Sequence, residues 1–199
     1  MAKAEDAQMI VKPSADGLVA SVKAAAKKGP PPVHLWNPPF CGDLDMRIAR
    51  DGTWFYLGTP IGRAPLVKLF SSILKLEGGK YYLVTPVEKV GITVEDAPLL
   101  AVDFEVTGEG AAQEIRFFTK TEDEVVASAE NPIRVVRNPE TGEPSPYVHV
   151  RAGLEALIDR KSFYRLVELG TQETLDGSDW FGLWSGGQFF PVIPTAVLT

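Results

Sequence analysis

One cysteine and one of two histidines, Cys41 and His149, could carry nucleophilic chemistry. A thiol and an imidazole act as nucleophile and base when the fold brings them within hydrogen-bond reach, and Asp159 could then orient the imidazole. The plain alternative is that the cysteine is a small buried hydrophobic residue. Zinc needs three or four ligands, and His34 alone adds to the soft ones, so no metal site is predicted.

Two carboxylates, Asp43 and Asp45, are separated by one residue. Side chains alternate between the faces of an extended strand, so both carboxylates would lie on one face. That arrangement suits a divalent cation or a general acid and base pair. The alternative is a capped turn or an ion pair with Arg47 or Arg50. A small hydrolase or transferase is therefore an alternative function, built on these carboxylates or on the thiol and imidazole.

The loop Gly58–Arg63 is the strongest candidate for ligand binding. It enters a predicted helix at Pro65 without a Ser, Thr, Asp or Asn directly before it, so the first backbone N–H groups lack a side-chain cap. Such N–H groups and the helix dipole favour an anion, and Arg63 could add a bidentate contact to phosphate or carboxylate. The alternative is a simple connection in which Arg63 pairs with Glu88.

Glu88 and Lys89 follow a Thr-Pro pair and are predicted to lie near this loop, either in the site or as a solvated ion pair. Trp36 lies in a proline-rich segment outside any regular buried face, so it is a candidate pocket wall.

A charged run in the second half of the chain contains Arg160 and Tyr164 together with Arg151, Asp159 and Lys161. These side chains could form a positive cleft facing the first half. The alternative is the solvated face of a helix.

The composition and net charge argue against several classes of function. The chain has 199 residues, 45% of them hydrophobic, and a net charge of −6. The charge argues against bulk nucleic-acid binding, because phosphate contacts require a basic face. No apolar stretch approaches the roughly 20 residues needed to span a bilayer, and the N-terminus carries no apolar signal segment. We therefore expect a soluble cytoplasmic protein. Standard catalytic and nucleotide motifs are missing, so the sequence favours a non-enzyme and assigns no cofactor.

The elements that position these residues follow from periodicity and turn signals. A helix is predicted from about Ser14 to Lys28, followed by a hairpin around the Asp51-Gly52 turn. A second helix is predicted from Pro65 through Leu74 to the stop at Gly78-Gly79. Strands then follow at 80–85, 90–94 and 99–107, with the last two predicted as a hairpin.

A similar pattern recurs in the second half. Ile133–Asn138 matches Met46–Asp51 in polarity, and each is followed by a turn, an aromatic-containing strand and a helix. The second helix is predicted within Gly153–Leu169, broken near Asp159, and a final hairpin follows. We predict an α+β fold of two similar β-rich halves, each a hairpin-helix-hairpin unit, divided into an N-terminal arm and helix (1–28) and two domains (29–109 and 110–199).

Four segments together resemble an uncharacterised proteobacterial family, domain of unknown function 1285. They are His34–Asp43, Asp51–Tyr56, Gly58–Arg63 and Leu83–Val90. The resemblance covers nearly the whole chain. It implies a duplicated α+β fold whose C-terminal half is loosely similar to pleckstrin-homology domains, and a signalling role through ligand binding. It carries over no catalytic residues.

The preferred interpretation is a module that binds a small anionic effector between its two halves. The predicted ligand-binding residues are Trp36, Asp43, Arg63, Glu88, Lys89, Arg160 and Tyr164. A protein-interaction scaffold is the remaining alternative, because the pattern contains many strand edges. The oligomeric state is left open.

Overall fold

A computed structural model describes residues 13–25 and 30–197. The chain opens with helix α1, Ala15–Ala25. The Ser14 hydroxyl caps it by accepting a hydrogen bond from the Gly17 N–H at 3.2 Å, as predicted. Leu18 and Val22 lie on one face and are buried in the core. The predicted end of this helix at Lys28 lies outside the described residues.

The first sheet has six strands in the order β3-β2-β1-β6-β5-β4. The pairs are antiparallel except the central pair, β1 with β6, which is parallel. The strands are β1 Phe40–Ile48, β2 Trp54–Tyr56, β3 Thr59–Pro60, β4 Leu74–Glu77, β5 Lys80–Val84 and β6 Lys89–Val94.

Helix α2, Ala64–Ser72, lies between β3 and β4 and packs on the inner face of this sheet. Its Phe70 stacks on Trp54 of β2, with ring centroids 6.2 Å apart. The prediction that the helix runs through Leu74 is wrong. Gly78 and Gly79 both adopt positive φ and form a two-residue hairpin turn, which pairs the preceding residues with β5.

The second sheet also has six strands, in the order β10-β11-β12-β7-β8-β9. Its central pair, β12 with β7, is parallel and the other pairs are antiparallel. The strands are β7 Leu99–Thr107, β8 Glu114–Thr119, β9 Glu124–Val126, β10 Ile133–Arg137, β11 Pro144–Arg151 and β12 Leu154–Ile158.

The predicted hairpin of residues 90–94 with 99–107 is wrong, because β6 and β7 belong to different sheets. Strand β6 pairs in parallel with β1, and β7 pairs in parallel with β12. Each is a central strand with a neighbour on both sides, so neither has a free edge for the other. By strand pairing, the chain passes from the first half to the second between Val94 and Leu99. This is earlier than the predicted boundary near Gly108–Gly110.

The prediction of two similar halves is confirmed, since β1–β6 and β7–β12 have the same strand order and the same parallel central pair. The predicted correspondence of Ile133–Asn138 with Met46–Asp51 is wrong. The first of these segments contains the edge strand β10, whereas the second comprises the end of the central strand β1 and the turn that follows it. The counterpart of β1 is β7. The halves also differ in their helices, because only the first carries a helix between its two groups of three strands.

Helix α3, Arg160–Val167, follows β12, and the Asp159 carboxylate caps it by accepting from the Ser162 N–H at 2.7 Å. The predicted break at Asp159 is therefore a helix start, with a strand before it. A three-stranded antiparallel sheet completes the described chain: β13 Thr171–Leu175, β14 Ser178–Ser185 and β15 Gln188–Pro194. The strand β13 was not predicted. One continuous core joins both halves and this sheet.

Candidate functional site

A cavity of about 480 Å³ lies between the two halves, and we call it the interface cavity. The first half contributes the segment before β1, the end of α2 and strand β4, and the second half contributes the β8–β9 turn and the end of β11. The residues that line it are Pro30, Pro31, Val33, His34, Lys68, Ser71, Ser72, Leu74, Lys75, Leu76, Thr121, Glu122, Asp123, Arg151 and Ala152.

The lining carries more positive than negative charge. Lys68 of α2 pairs with Glu122 across the cavity, and Arg151 pairs with Asp123, the Nε to Oδ1 distance being 3.2 Å. Lys75 has its carboxylate partner, Glu77, outside the lining at 3.3 Å. The three cations and two carboxylates of the lining leave one net positive charge, before any contribution from His34.

Arg151 joins the two halves at the cavity wall. Its Nη2 donates to the Ser71 carbonyl oxygen at 3.0 Å and its Nε donates to Asp123. Asp123 also accepts from the hydroxyls of Thr121 at 2.8 Å and Thr119 at 3.1 Å, so its charge is well solvated by local donors. The Nη1 group of Arg151 makes no hydrogen bond to any residue that the structure describes, which leaves two N–H donors at the cavity.

Ser71 has an unmet hydrogen bond. Its side chain is 2% exposed, and its hydroxyl has no partner within residues 13–25 and 30–197. The adjacent Ser72 differs, because its hydroxyl donates to the Leu69 carbonyl oxygen at 2.6 Å. A buried polar group without a partner costs roughly 1–3 kcal/mol, and such groups in native structures call for an explanation.

The predicted open start of the second helix is confirmed. Arg63 occupies the cap position of α2 and no side chain caps the helix there. The side chain of Arg63 is exposed and lies outside the residues that line the interface cavity. The alternative pairing with Glu88 is not seen: burial raises the pKa of Glu88, and the hydrogen bond that opposes this shift comes from Ser21 of α1. Anion binding at Arg63 stays a prediction.

Lys89 and Trp36 also lie outside the cavity lining. Lys89 pairs with Glu77 at 3.1 Å and lies over the Tyr82 ring, with its Nζ 5.1 Å from the ring centroid. Two lysines therefore share one carboxylate, which holds the pKa of Glu77 below its usual value. Trp36 follows a short 3-10 turn and packs half-buried against the core.

Arg160 and Tyr164 border a smaller cavity of about 210 Å³. Arg50 of the first half borders the same space, so the structure does place these two residues towards the other half. Arg160 pairs with Glu143, and Arg50 pairs with Asp96 at 2.7 Å. The predicted positive cleft therefore divides, because Arg151 belongs to the interface cavity instead.

The predicted nucleophile and base each have local contacts. The Cys41 thiol donates to the Pro39 carbonyl oxygen at 3.5 Å and packs against the core. His149 Nε2 accepts from the Gly153 N–H at 3.1 Å, and Nδ1 lies 3.2 Å from the Glu130 carbonyl oxygen. Asp159, the proposed orienting residue, instead caps α3.

Asp43 and Asp45 lie on the same exposed face of β1, as the alternation predicts, while Leu44 and Met46 are buried. The Asp43 carboxylate lies over Gly91 of β6, which faces it in the sheet and leaves room for it. Within residues 13–25 and 30–197, no three His, Cys, Asp or Glu side chains are grouped so that they could hold a metal ion.

Sequence reasoning missed Lys68, Ser71 and Lys75. The one signal for Ser71 was a serine at the end of an otherwise apolar helix face, where a core residue is expected. Nothing in the local sequence indicates that the second half covers it.

Two family models match the chain. The model described as "Domain of unknown function (DUF1285), N-terminal domain" matches residues 31–97, and "Protein of unknown function (DUF1285), C-terminal domain" matches residues 98–192. The two matches meet where the chain passes from the first sheet to the second.

Solved structures of two DUF1285 family proteins are similar to this chain. The protein from the proteobacterium Silicibacter pomeroyi DSS-3 is 66% identical, with a TM-score of 0.83, over 93% of this chain and 99% of that chain. The protein from Shewanella baltica OS155 is 33% identical, with a TM-score of 0.50, over 63% of this chain and 91% of that chain. No curated protein matches the chain. Of the helices described, none has the length and apolar character to cross a membrane.

Proposed function

We propose that this chain, which belongs to the DUF1285 family of unknown function, binds a small anionic ligand in the interface cavity. The observation that carries this proposal is the unpartnered, buried hydroxyl of Ser71 at the cavity wall, next to the unused Nη1 donors of Arg151. A serine hydroxyl turns between staggered χ1 positions, so a ligand in the cavity can take up this donor.

The charge of the lining defines the ligand further. Glu122 and Asp123 pair with Lys68 and Arg151. The third cation, Lys75, shares its partner Glu77 with Lys89 outside the lining, which leaves one positive charge in excess. A ligand with a single carboxylate or phosphate group matches this charge, whereas a polyphosphate would face two carboxylates without enough cations to offset them. The apolar residues of the lining suit an apolar body attached to that group; they are Pro30, Pro31, Val33, Leu74, Leu76 and Ala152. A volume of about 480 Å³ lies within the range of small-ligand sites.

The placement of the cavity also connects ligand binding to the arrangement of the two halves. Arg151 belongs to the second half, yet it holds the Ser71 carbonyl oxygen of the first. A ligand that contacts both residues therefore strengthens the contact between the halves. This gives a physical basis for a signalling role, because a ligand shifts a conformational equilibrium by its differential affinity for the two states.

The test is a thermal-shift screen against monocarboxylates, dicarboxylates, phosphorylated metabolites and nucleotides. A ligand present at 100 times its Kd stabilises the folded state by about 2.7 kcal/mol, which raises the Tm by roughly 5–10 °C for a chain of this length. Ser71→Ala and Arg151→Lys should weaken the shift, the second because lysine keeps the charge but lacks the forked donors.

Arg63→Ala is the matched control, since it removes an exposed cation from the other end of the same helix. A shift that survives in this variant but is reduced in Ser71→Ala places the ligand in the interface cavity. A shift lost only in Arg63→Ala would move the site to the start of α2, and no shift with any class would refute the proposal.

A further inference from the structure

Strand β4 is an edge strand, and the interface cavity meets it edge-on. The cavity is lined by the three consecutive residues Leu74, Lys75 and Leu76. Because side chains alternate between the faces of a strand, a cavity on one face would be lined by every second residue. Three in succession show that the backbone edge itself borders the cavity.

The pairing of β4 with β5 identifies the backbone groups that point into the cavity. The Val84 N–H donates to the Ile73 carbonyl oxygen at 3.0 Å, so this is a hydrogen-bonded pair. Hydrogen-bonded and non-hydrogen-bonded pairs alternate along an antiparallel ladder. By this register, Lys75 and Tyr82 form a hydrogen-bonded pair. Leu74 and Leu76 lie in the non-hydrogen-bonded pairs on either side of it.

The N–H and C=O groups of Leu74 and Leu76 therefore point away from β5, towards the cavity. None of them has a backbone partner among the residues that the structure describes. Such an edge is a template for another strand. In the opposite wall Pro30 and Pro31 have no backbone N–H, and the Val33 N–H donates to the Pro31 carbonyl oxygen at 2.9 Å, so these three residues donate nothing to β4.

We infer that the ligand of the interface cavity is a short peptide in extended conformation, added to β4 as a further strand and ending in a free carboxylate. This inference rests on the proposed function and names the ligand class for the same site. The peptide inference is more specific than the proposal of an anion site. In strand addition the main-chain hydrogen bonds provide the affinity, and the carboxylate fixes the position of the peptide.

The positions of the donors set the direction of the peptide. Ser71 and Arg151 lie at the Leu74 end of β4, since Ser71 precedes Leu74 by three residues and Arg151 contacts its carbonyl oxygen. The carboxylate therefore lies beside Leu74, and the peptide runs back towards Leu76, antiparallel to β4. Its last residue exchanges hydrogen bonds with Leu74, and the residue two positions earlier does so with Leu76.

The charge around this carboxylate is favourable. Arg151 donates a hydrogen bond to the Ser71 carbonyl oxygen, which reduces the negative potential at the C-terminal end of α2. Asp123, the lining carboxylate that pairs with Arg151, is held by two threonine hydroxyls and the Arg151 Nε. The Nη1 donors and the Ser71 hydroxyl stay available for the peptide.

The probe is acetyl-Ala-Val-Ala-Val with a free C-terminus, titrated by isothermal calorimetry against the full chain. Amidation of the C-terminus should weaken binding by more than about tenfold, because a charge-assisted hydrogen bond contributes roughly 1.5–3 kcal/mol. N-methylation of the second or fourth residue should abolish binding. N-methylation of the third residue, whose N–H points away from β4, is the control and should leave the affinity within about threefold.

Amide hydrogen exchange gives a second measurement on the protein itself. The Leu76 amide should exchange fast in the free protein and become protected by the probe, and the Leu74 amide, in a residue that is 3% exposed, should become further protected. The Lys75 amide, already bonded to β5, should change little. Octanoate distinguishes the anion site from the peptide inference, because it has a carboxylate and an apolar chain but no peptide groups to pair with β4. If octanoate binds but the peptide does not protect Leu74 and Leu76, the anion site stands and the peptide inference is overturned. If neither the peptide nor any compound of the thermal-shift screen binds, both are overturned.

Discussion

Substitution of two adjacent serines at the end of α2 by alanine should change the stability of the fold to clearly different extents. Ser71→Ala removes a buried hydroxyl that has no partner among the described residues, and so relieves a cost of roughly 1–3 kcal/mol. Ser72→Ala removes a hydroxyl bonded to the Leu69 carbonyl oxygen at 2.6 Å, which contributes about 0.5–1.5 kcal/mol. The gain in helix propensity from serine to alanine is at most about 0.7 kcal/mol and common to both. The first variant should therefore be more stable than the second by at least about 1.5 kcal/mol.

Urea unfolding of the purified variants, without added ligand, measures this difference through the midpoint at constant slope. Thermal melts should show Ser71→Ala at least about 3–6 °C above Ser72→Ala, since 1 kcal/mol moves the Tm by about 2–4 °C at this length. Equal destabilisation by both substitutions would show that the Ser71 hydroxyl is satisfied in the free protein. The proposal that a ligand takes up this donor would then lose its main support.

Three further outcomes are expected. Gly182→Ala should destabilise the fold by about 1–3 kcal/mol in urea unfolding, because the new Cβ would lie 2.4 Å from the backbone oxygen of Phe190 and neither strand can give way. Gly91→Ala should cost less, although its Cβ would lie 2.1 Å from the Asp43 carboxylate, since that exposed side chain can rotate away; a cost equal to that at Gly182 would contradict this. Burial raises the pKa of Glu88 above its ordinary value of 4.5, so the folded state binds this proton more tightly and stability falls as pH rises from the unfolded pKa through the folded one. Glu88→Gln should therefore be more stable than the native protein near pH 7 and lose that advantage below about pH 4; a constant difference across the pH range would refute it.

The interface cavity arises where the two halves depart from their shared topology. Each half has the same six-strand order, but only the first carries a helix between its two groups of three strands. That helix supplies Lys68, Ser71 and Ser72 to the cavity. In the second half a short connection joins β9 to β10 instead. A duplicated sheet thus provides two packed halves, and the unpaired helix provides the polar groups between them.

The sequence by itself determined the local elements where one strong signal acted alone. The strand Leu99–Thr107 was predicted at its observed bounds, because alternation of apolar residues follows from the two-residue repeat of a strand. The uncapped start of α2 was predictable from Pro65 and the absence of a capping residue before it. The family was recognisable from its motifs. Two similar halves were predicted as well, but from a recurring pattern that matched an edge strand with a central one, so it did not locate the repeat.

Tertiary structure decided the pairing of strands and hence the site. Leu74–Glu77 continues an apolar pattern that also fits a helix, and its strand conformation depends on the pairing with β5. The strands β6 and β7 are adjacent in sequence but pair in parallel with distant strands, which no local signal reports. Ser71 and Arg151 are 80 residues apart and meet only because the halves pack together. Composition and spacing specify which residues can bind an anion, but the packing of the two halves determines which of them share a cavity.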